Sequence, residues 1–269
     1  MTALLDIHDL AIRTGSKSLV ADLSFSIAAG ERLGLIGESG SGKSLTALAA
    51  IGLLPEALMA SGSILLDGHQ VVGACDRDLV PLRGTAAAVV FQEPLTALDP
   101  LARIGRQVGE AVRRRAKRDG AATDKASITR AVMSLLDQVA LPDTGRIFNA
   151  WPHEISGGQR QRAAIAMALA CKPKLLIADE PTTALDVTTQ AEILALLKRL
   201  VRERDMALLF ISHDLPVVAG TVDRVLVMQR GRIVETGAVA DVFAQPQHPY
   251  TQSLVVAARA FDDALEMTA

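Results

Sequence analysis

The stretch LGLIGESGSGKSLTALAA, residues 33 to 50, changes character twice within a few turns of chain. Residues 29 to 37 read as a strand that ends in glycine, and residues 43 to 54 read as a helix. Between them Gly37, Glu38, Ser39, Gly40, Ser41, Gly42, Lys43 and Ser44 fit the pattern G-x-x-x-x-G-K-[ST] in the strand–loop–helix context it requires. Glycines at these places let successive backbone N–H groups close around an anion, and the helix N-terminus adds the positive end of its dipole. Lys43 supplies a point charge for phosphate oxygens, and the Ser44 hydroxyl is placed to reach Mg2+.

The flanking chain supplies what such a loop needs. KLLIADEP, residues 174 to 181, reads as a buried strand with Asp179 at its end, suited to orienting the shell of a Mg2+ ion. Alone, Asp179 and Glu180 read equally well as a solvated strand end. Beside a phosphate loop, Glu180 becomes a carboxylate able to polarise a water that attacks a terminal phosphate. AAAVVFQ, residues 86 to 92, reads as a strand buried on both faces, with Gln92 at its end as a contact for Mg2+ or that water. His213 ends another apolar strand, residues 206 to 212. Ligands of parallel sheets sit beyond the carboxyl ends of the strands, so these side chains are expected at one edge.

Other segments fill in an α/β chain. Residues 4–13 and 18–27 alternate as antiparallel strands, and residues 61–71 read as a hairpin with Asp67 and Gly68 at its turn. From about residue 93 to 162 the pattern changes to helices, at 104–118 and 124–140, without a convincing strand. Strand and helix then alternate to residue 229, as in a parallel sheet with crossover helices.

HEISGGQRQR, residues 153 to 162, looks like half of an anion site: Ser156, Gly157, Gly158 and Gln159 open a helix, but no lysine follows. Together with GESGSGKS, Gln92, LLIADE, ALD (184–186) and SHD (212–214), in this order, it resembles the ATP-binding cassette (ABC) ATPases over nearly the whole chain. The resemblance implies an α/β ABC ATPase cassette: a phosphate-loop parallel-sheet core, an N-terminal antiparallel β subdomain and an inserted α-helical subdomain. As one domain over 1–269, the core would be 1–92 and 163–269 and the helical signature subdomain 93–162. It further implies ATP and Mg2+ as cofactors, Ser44, Gln92 and Asp179 as metal contacts, Glu180 as catalytic base and His213 as sensor of the γ-phosphate. Two cassettes pair head to tail in that family. Ser156, Gly157, Gly158 and Gln159 would then contact the other cassette's γ-phosphate, and Asp186 would cross the interface.

FQEPLTALDP (91–100), IAMALACKPKLLIADEPTTALDV (165–187) and QPQHPYTQSL (245–254) are similar to the ATPases of dipeptide, oligopeptide and nickel importers. That implies a second, non-identical ATPase, two transmembrane permeases, an extracytoplasmic solute-binding protein, and a place on the cytoplasmic face of the cell membrane. Peptide is the expected cargo, with nickel or another metal chelate as the alternative. Two departures stand out. Ile155 replaces the usual Leu before the signature Ser, a volume-conserving change. No aromatic precedes Phe25, so Ile12, Arg13 or Thr14 must take the place of the side chain that stacks on adenine.

Bulk properties exclude other classes. A net charge of −2 gives no overall basic field for nucleic acid. The run RRRAKR (113–118) lacks interleaved aromatics and reads as a solvated helix face. Cassettes acting on DNA carry long coiled coils between loop and signature, and ribosome-associated ones join two cassettes in one chain; neither feature is found here. A non-hydrolysing regulator would lack Glu180 or His213, and both are present. Cys75 and Cys171 are too far apart for a metal or redox pair and read as small hydrophobes. The uncharged, mostly apolar stretch of residues 44–55 is short of a membrane span.

Overall fold

The computed structural model describes residues 3–183 and 185–266, with side chains up to residue 258. Ala184, inside the TTALD stretch, lies outside the described residues. The chain forms two compact units, one of Met1–Arg83 with Asp205–Ala269 and one of Gly84–Arg204.

The first unit begins with the antiparallel hairpin of β1 (Leu5–Thr14) and β2 (Lys17–Ile27). Next come β3 (Arg32–Ile36), α1 (Lys43–Ala50), β4 (Met59–Leu66), β5 (His69–Gln70) and α2 (Asp76–Leu79). Asp67 and Gly68 join β4 to β5 with φ of 50° and 80°, as a tight hairpin turn requires. The helix expected to residue 54 stops at Ala50. Gly52 has φ +64°, its N–H bonds Ala49 O, and the N–H of Leu53 bonds Leu48 O. These are the two bonds of a Schellman ending, which a glycine in the left-handed region makes possible.

Gly84–Arg204 contains β6 (Ala87–Val90), α3 (Pro94–Ala97), α4 (Ile104–Arg118), α5 (Lys125–Gln138), α6 (Thr144–Asn149), α7 (Gly157–Leu169), β7 (Leu175–Asp179) and α8 (Val187–Glu203). β6 and β7 are parallel, with Val90 opposite Ala178. β7 is buried along its whole length, as its continuous apolar run requires. β6 corrects the reading of a strand covered on both faces: it is an end strand, and Ala88 and Val89 are half-exposed. Helix α4 buries Ile104, Val108, Val112 and Ala116, a stripe spaced four residues apart.

The basic run at the end of α4 is only partly a solvated face. Arg113, Arg114, Lys117 and Arg118 are exposed, and Arg115 is half-buried. Arg115 and Arg118 donate to Ala170 O at 3.2 Å and Cys171 O at 3.4 Å, and Arg204 donates to Leu169 O at 3.3 Å. The three guanidinium groups satisfy carbonyls at the C-terminus of α7 and complement its dipole.

The chain then returns to the first unit through β8 (Ala207–Ser212), α9 (Leu215–Ala219), β9 (Arg224–Gln229), β10 (Arg232–Ala238), α10 (Val239–Ala244) and α11 (Pro249–Glu266). Within this unit β9, β3 and β8 are parallel neighbours, and β10 pairs antiparallel with β9. β2, β1, β4 and β5 make a separate antiparallel sheet. Cys75 is exposed with its thiol on Asp78, so it is not a core residue, whereas burial raises the Cys171 thiol above its ordinary range. Among the described residues no helix is long and apolar enough to cross a membrane.

Candidate functional site

The loop between β3 and α1 has a buried floor and an exposed tip. Gly37 has φ +150°, and a Cβ there would lie 2.2 Å from Met228 O, so only glycine lets the chain turn this close to β9. Glu38, Ser39 and Gly40 are exposed, whereas Lys43 is only 4% exposed beneath them. Lys43 Nζ donates to Gly37 O at 2.7 Å and Glu38 O at 2.9 Å, folding the loop over the ammonium. The N–H of Ser41 bonds Glu38 O, the N–H of Gly231 bonds Ser41 O, and the Glu38 N–H donates to the Tyr250 hydroxyl at 2.8 Å. Helix α1 starts at Lys43 with Gly42 as N-cap, so no side chain caps it and its first turn carries no acid. Such a helix start is suited to an anion.

Ile36 is opposite Ser212 in the β3–β8 pairing, which brings Gly37 and the exposed His213 to the same strand edge. In the other unit the β6–β7 register does the same for Gln92 and Asp179. Asp179 is 9% exposed at the end of β7. Glu180 follows with φ +45°, and its Oε2 accepts from Thr183 Oγ1 at 3.0 Å and from Gln92 Nε2 at 3.2 Å. Gln92 therefore touches the carboxylate itself.

A second grouping lies at the starts of α7 and α8. Ser156 caps α7 by accepting the Gln159 N–H, and Gln159 Oε1 accepts the Ser156 N–H in return, a closed capping box. Asp186 caps α8: its two oxygens accept the Thr189 N–H at 2.9 Å and the Thr189 hydroxyl at 2.7 Å. Those bonds, the backbone one first, hold the Asp186 carboxyl below the usual carboxylate range. The two helix starts touch, because a Cβ on Gly158 would lie 2.6 Å from Thr189 Cγ2 and one on Gly157 3.5 Å from Leu185. The signature and the chain from Leu185 to Thr189, nearly thirty residues apart in sequence, thus pack together. Ile155 is buried there, as the Leu it replaces would be.

Ile12 is fully buried in β1 and cannot stack on a base, which corrects one of the three expected positions. Arg13 is exposed and Thr14 half-exposed. Thr183, Thr189 and Tyr250 hold site residues yet went unread in the sequence. Thr183 carries a faint signal, three residues beyond Glu180, whereas nothing local marks Tyr250.

Residues 20–183 match the model of the ABC transporter family. The chain is 45% identical to the oligopeptide transport ATP-binding protein OppD of Salmonella typhimurium, over 96% of this chain and 77% of that protein. It is 44% identical to the dipeptide transport ATP-binding protein DppD of Bacillus subtilis, over 90% of this chain and 71% of that protein. Among solved structures, the ATP-binding cassette MJ0796, a dimer in a post-hydrolysis state with ADP and Pi, superposes with a TM-score of 0.76 at 26% identity, over 87% of this chain and 98% of that one. The cassette cbiO1 of Clostridium perfringens gives 0.75 at 27% identity, over 91% and 92% of the two chains.

Proposed function

The chain belongs to the ABC transporter family of ATPases, and from that premise we propose that it energises peptide uptake through separate membrane permeases. The observation that carries the nucleotide site is the loop itself. A helix start without a side-chain cap, roofed by glycine-rich backbone and floored by Lys43, is built to receive phosphate. Residues Gly37 to Ser44 wrap the phosphates, with Lys43 exchanging loop carbonyls for phosphate oxygens.

Ser44, Gln92 and Asp179 offer the hard oxygen donors that suit Mg2+. Among the described residues no cluster of three acidic, His or Cys ligands forms a metal cage. That fits an ion held largely by the phosphates it accompanies, where it would neutralise their charge. Glu180 takes a proton from the attacking water, its carboxylate oriented by Thr183 and Gln92. His213 meets the γ-phosphate, and Arg13 and Thr14 remain to face the base.

The capped start of α7 serves a nucleotide held by a second cassette, with Ser156, Gly157, Gly158, Gln159 and Asp186 at that junction. Residues 93–162 form the helical signature subdomain within one cassette, the remainder being the α/β core. The partners are a non-identical ATPase, two permeases and an extracytoplasmic solute-binding protein, gathered at the cytoplasmic face of the membrane. Peptide as cargo rests on the named relatives, which include oligopeptide and dipeptide transport proteins. Purification of the tagged chain from mildly solubilised native membranes tests this reading. Recovery of two multispanning proteins and a second ATPase is expected; recovery with ribosomes or DNA and no permease overturns it.

A further inference from the structure

The phosphate loop is fastened from a direction its own motif does not specify. The single tyrosine of the chain, Tyr250, lies in the first turn of α11, more than two hundred residues from the loop in sequence. Its hydroxyl oxygen accepts the N–H of Glu38, the second residue of the loop, at 2.8 Å. The Glu38 carbonyl is held by Lys43 Nζ and the Ser41 N–H, so the residue is pinned through both its backbone groups.

Tyr250 is itself fixed. Glu235 on β10 accepts the N–H of Gln247 at 2.9 Å and of His248 at 3.0 Å. Burial pushes the Glu235 carboxyl up, but these bonds, with the Thr251 hydroxyl and the neighbouring His248, outweigh it and leave the group below its ordinary range, hence ionised and a strong acceptor. His248 Nδ1 then accepts the Tyr250 N–H at 3.2 Å, and Ser253 Oγ donates to Tyr250 O. Thr251 and Val255 are buried and seat the helix. Burial raises the phenol above its ordinary value, so at neutral pH it is an uncharged hydroxyl that can accept the amide.

We propose that Tyr250 is a positioning residue for nucleotide: it latches the Glu38 amide so that the loop is already shaped for phosphate before ATP arrives. This rests on the reading of residues 37 to 44 as the ATP site. The physical reason lies in Lys43. When its ammonium turns to phosphate it gives up the Gly37 and Glu38 carbonyls, loosening the exposed tip at the moment of binding. The Tyr250 bond involves the amide instead and persists through that exchange. An ordered loop loses less freedom on binding, and the difference reads out as affinity.

The test uses the full chain with Tyr250→Phe, which keeps the ring and removes the hydroxyl. The Kd and KM for ATP are expected to rise roughly three- to tenfold, the worth of one hydrogen bond, while kcat stays within about twofold. Hydrogen exchange at the Glu38 amide is expected to quicken about tenfold in the free protein, a readout that does not depend on turnover. Unchanged Kd and KM overturn the proposal, as does a weakened Kd with Glu38 still protected as in the parent. Lys43→Ala, run alongside, separates the two levels. If it binds ATP like the parent, the site reading fails and the latch with it; if it loses ATP while Tyr250→Phe does not, the latch alone is overturned.

Discussion

Glu180 occupies the left-handed region at φ +45°, where a residue with a side chain stores roughly 1–3 kcal/mol of strain. The turn takes its carboxylate off the line of β7 and into reach of Thr183, three residues on, and of Gln92. On the proposed reading Glu180 is the base, which must be aimed as well as present, and two donors on one oxygen would do the aiming. Thr183→Val, which keeps the shape and removes the hydroxyl, is expected to lower kcat roughly three- to tenfold and leave the KM for ATP unchanged. Steady-state hydrolysis checks this, and an unaltered kcat rules out the aiming role. Lys43, Asp179, Glu180 and Gln92 could be named as candidates in the sequence because phosphate chemistry favours particular residue types in loops and at the ends of apolar strands. Thr183 and Tyr250 were not, because a neutral hydroxyl acts through a contact that only the fold creates.

At the scale of elements, the two signature glycines have different reasons to be glycine. A Cβ on Gly157 would find ordinary space, whereas one on Gly158 would lie 2.6 Å from Thr189 Cγ2. Thr189 cannot easily move aside, because both its N–H and its hydroxyl are held by Asp186. Gly158→Ala is therefore expected to destabilise the protein by about 1–3 kcal/mol, the usual effect of overpacking. Gly157→Ala should leave stability nearly unchanged. Thr189→Ser removes the offending methyl and keeps the hydroxyl, so in the double variant most of the loss should return. Denaturant unfolding of the four proteins checks this cycle; equal losses with and without Thr189→Ser contradict it.

Strands such as β7 and β8 were readable because continuous apolar runs have few alternatives once flanked by turn residues. Ends were less so: the apolar run of α1 continues past Ala50, and only the left-handed Gly52 stops it. β10 and α10 carried no strong period, since β10 is mostly half-exposed and α10 is short. The basic end of α4 read as solvated because the carbonyls it caps belong to a helix some fifty residues away.

For the molecule as a whole, the family was legible in the sequence because its motifs stand in one order along the chain, while the cargo is carried only by likeness to named peptide transporters. The helix that opens with Ser156 and lacks a lysine makes chemical sense when the lysine comes from a second cassette. The start of that helix and the latched loop belong to one proposed account, in which ATP joins two cassettes and hydrolysis lets them part. Its most direct test is the rate of ATP hydrolysis by Glu180→Gln, measured with ATP binding by the same protein. Turnover is expected to fall about 10²–10⁴-fold with ATP still bound; near-normal hydrolysis would contradict the account.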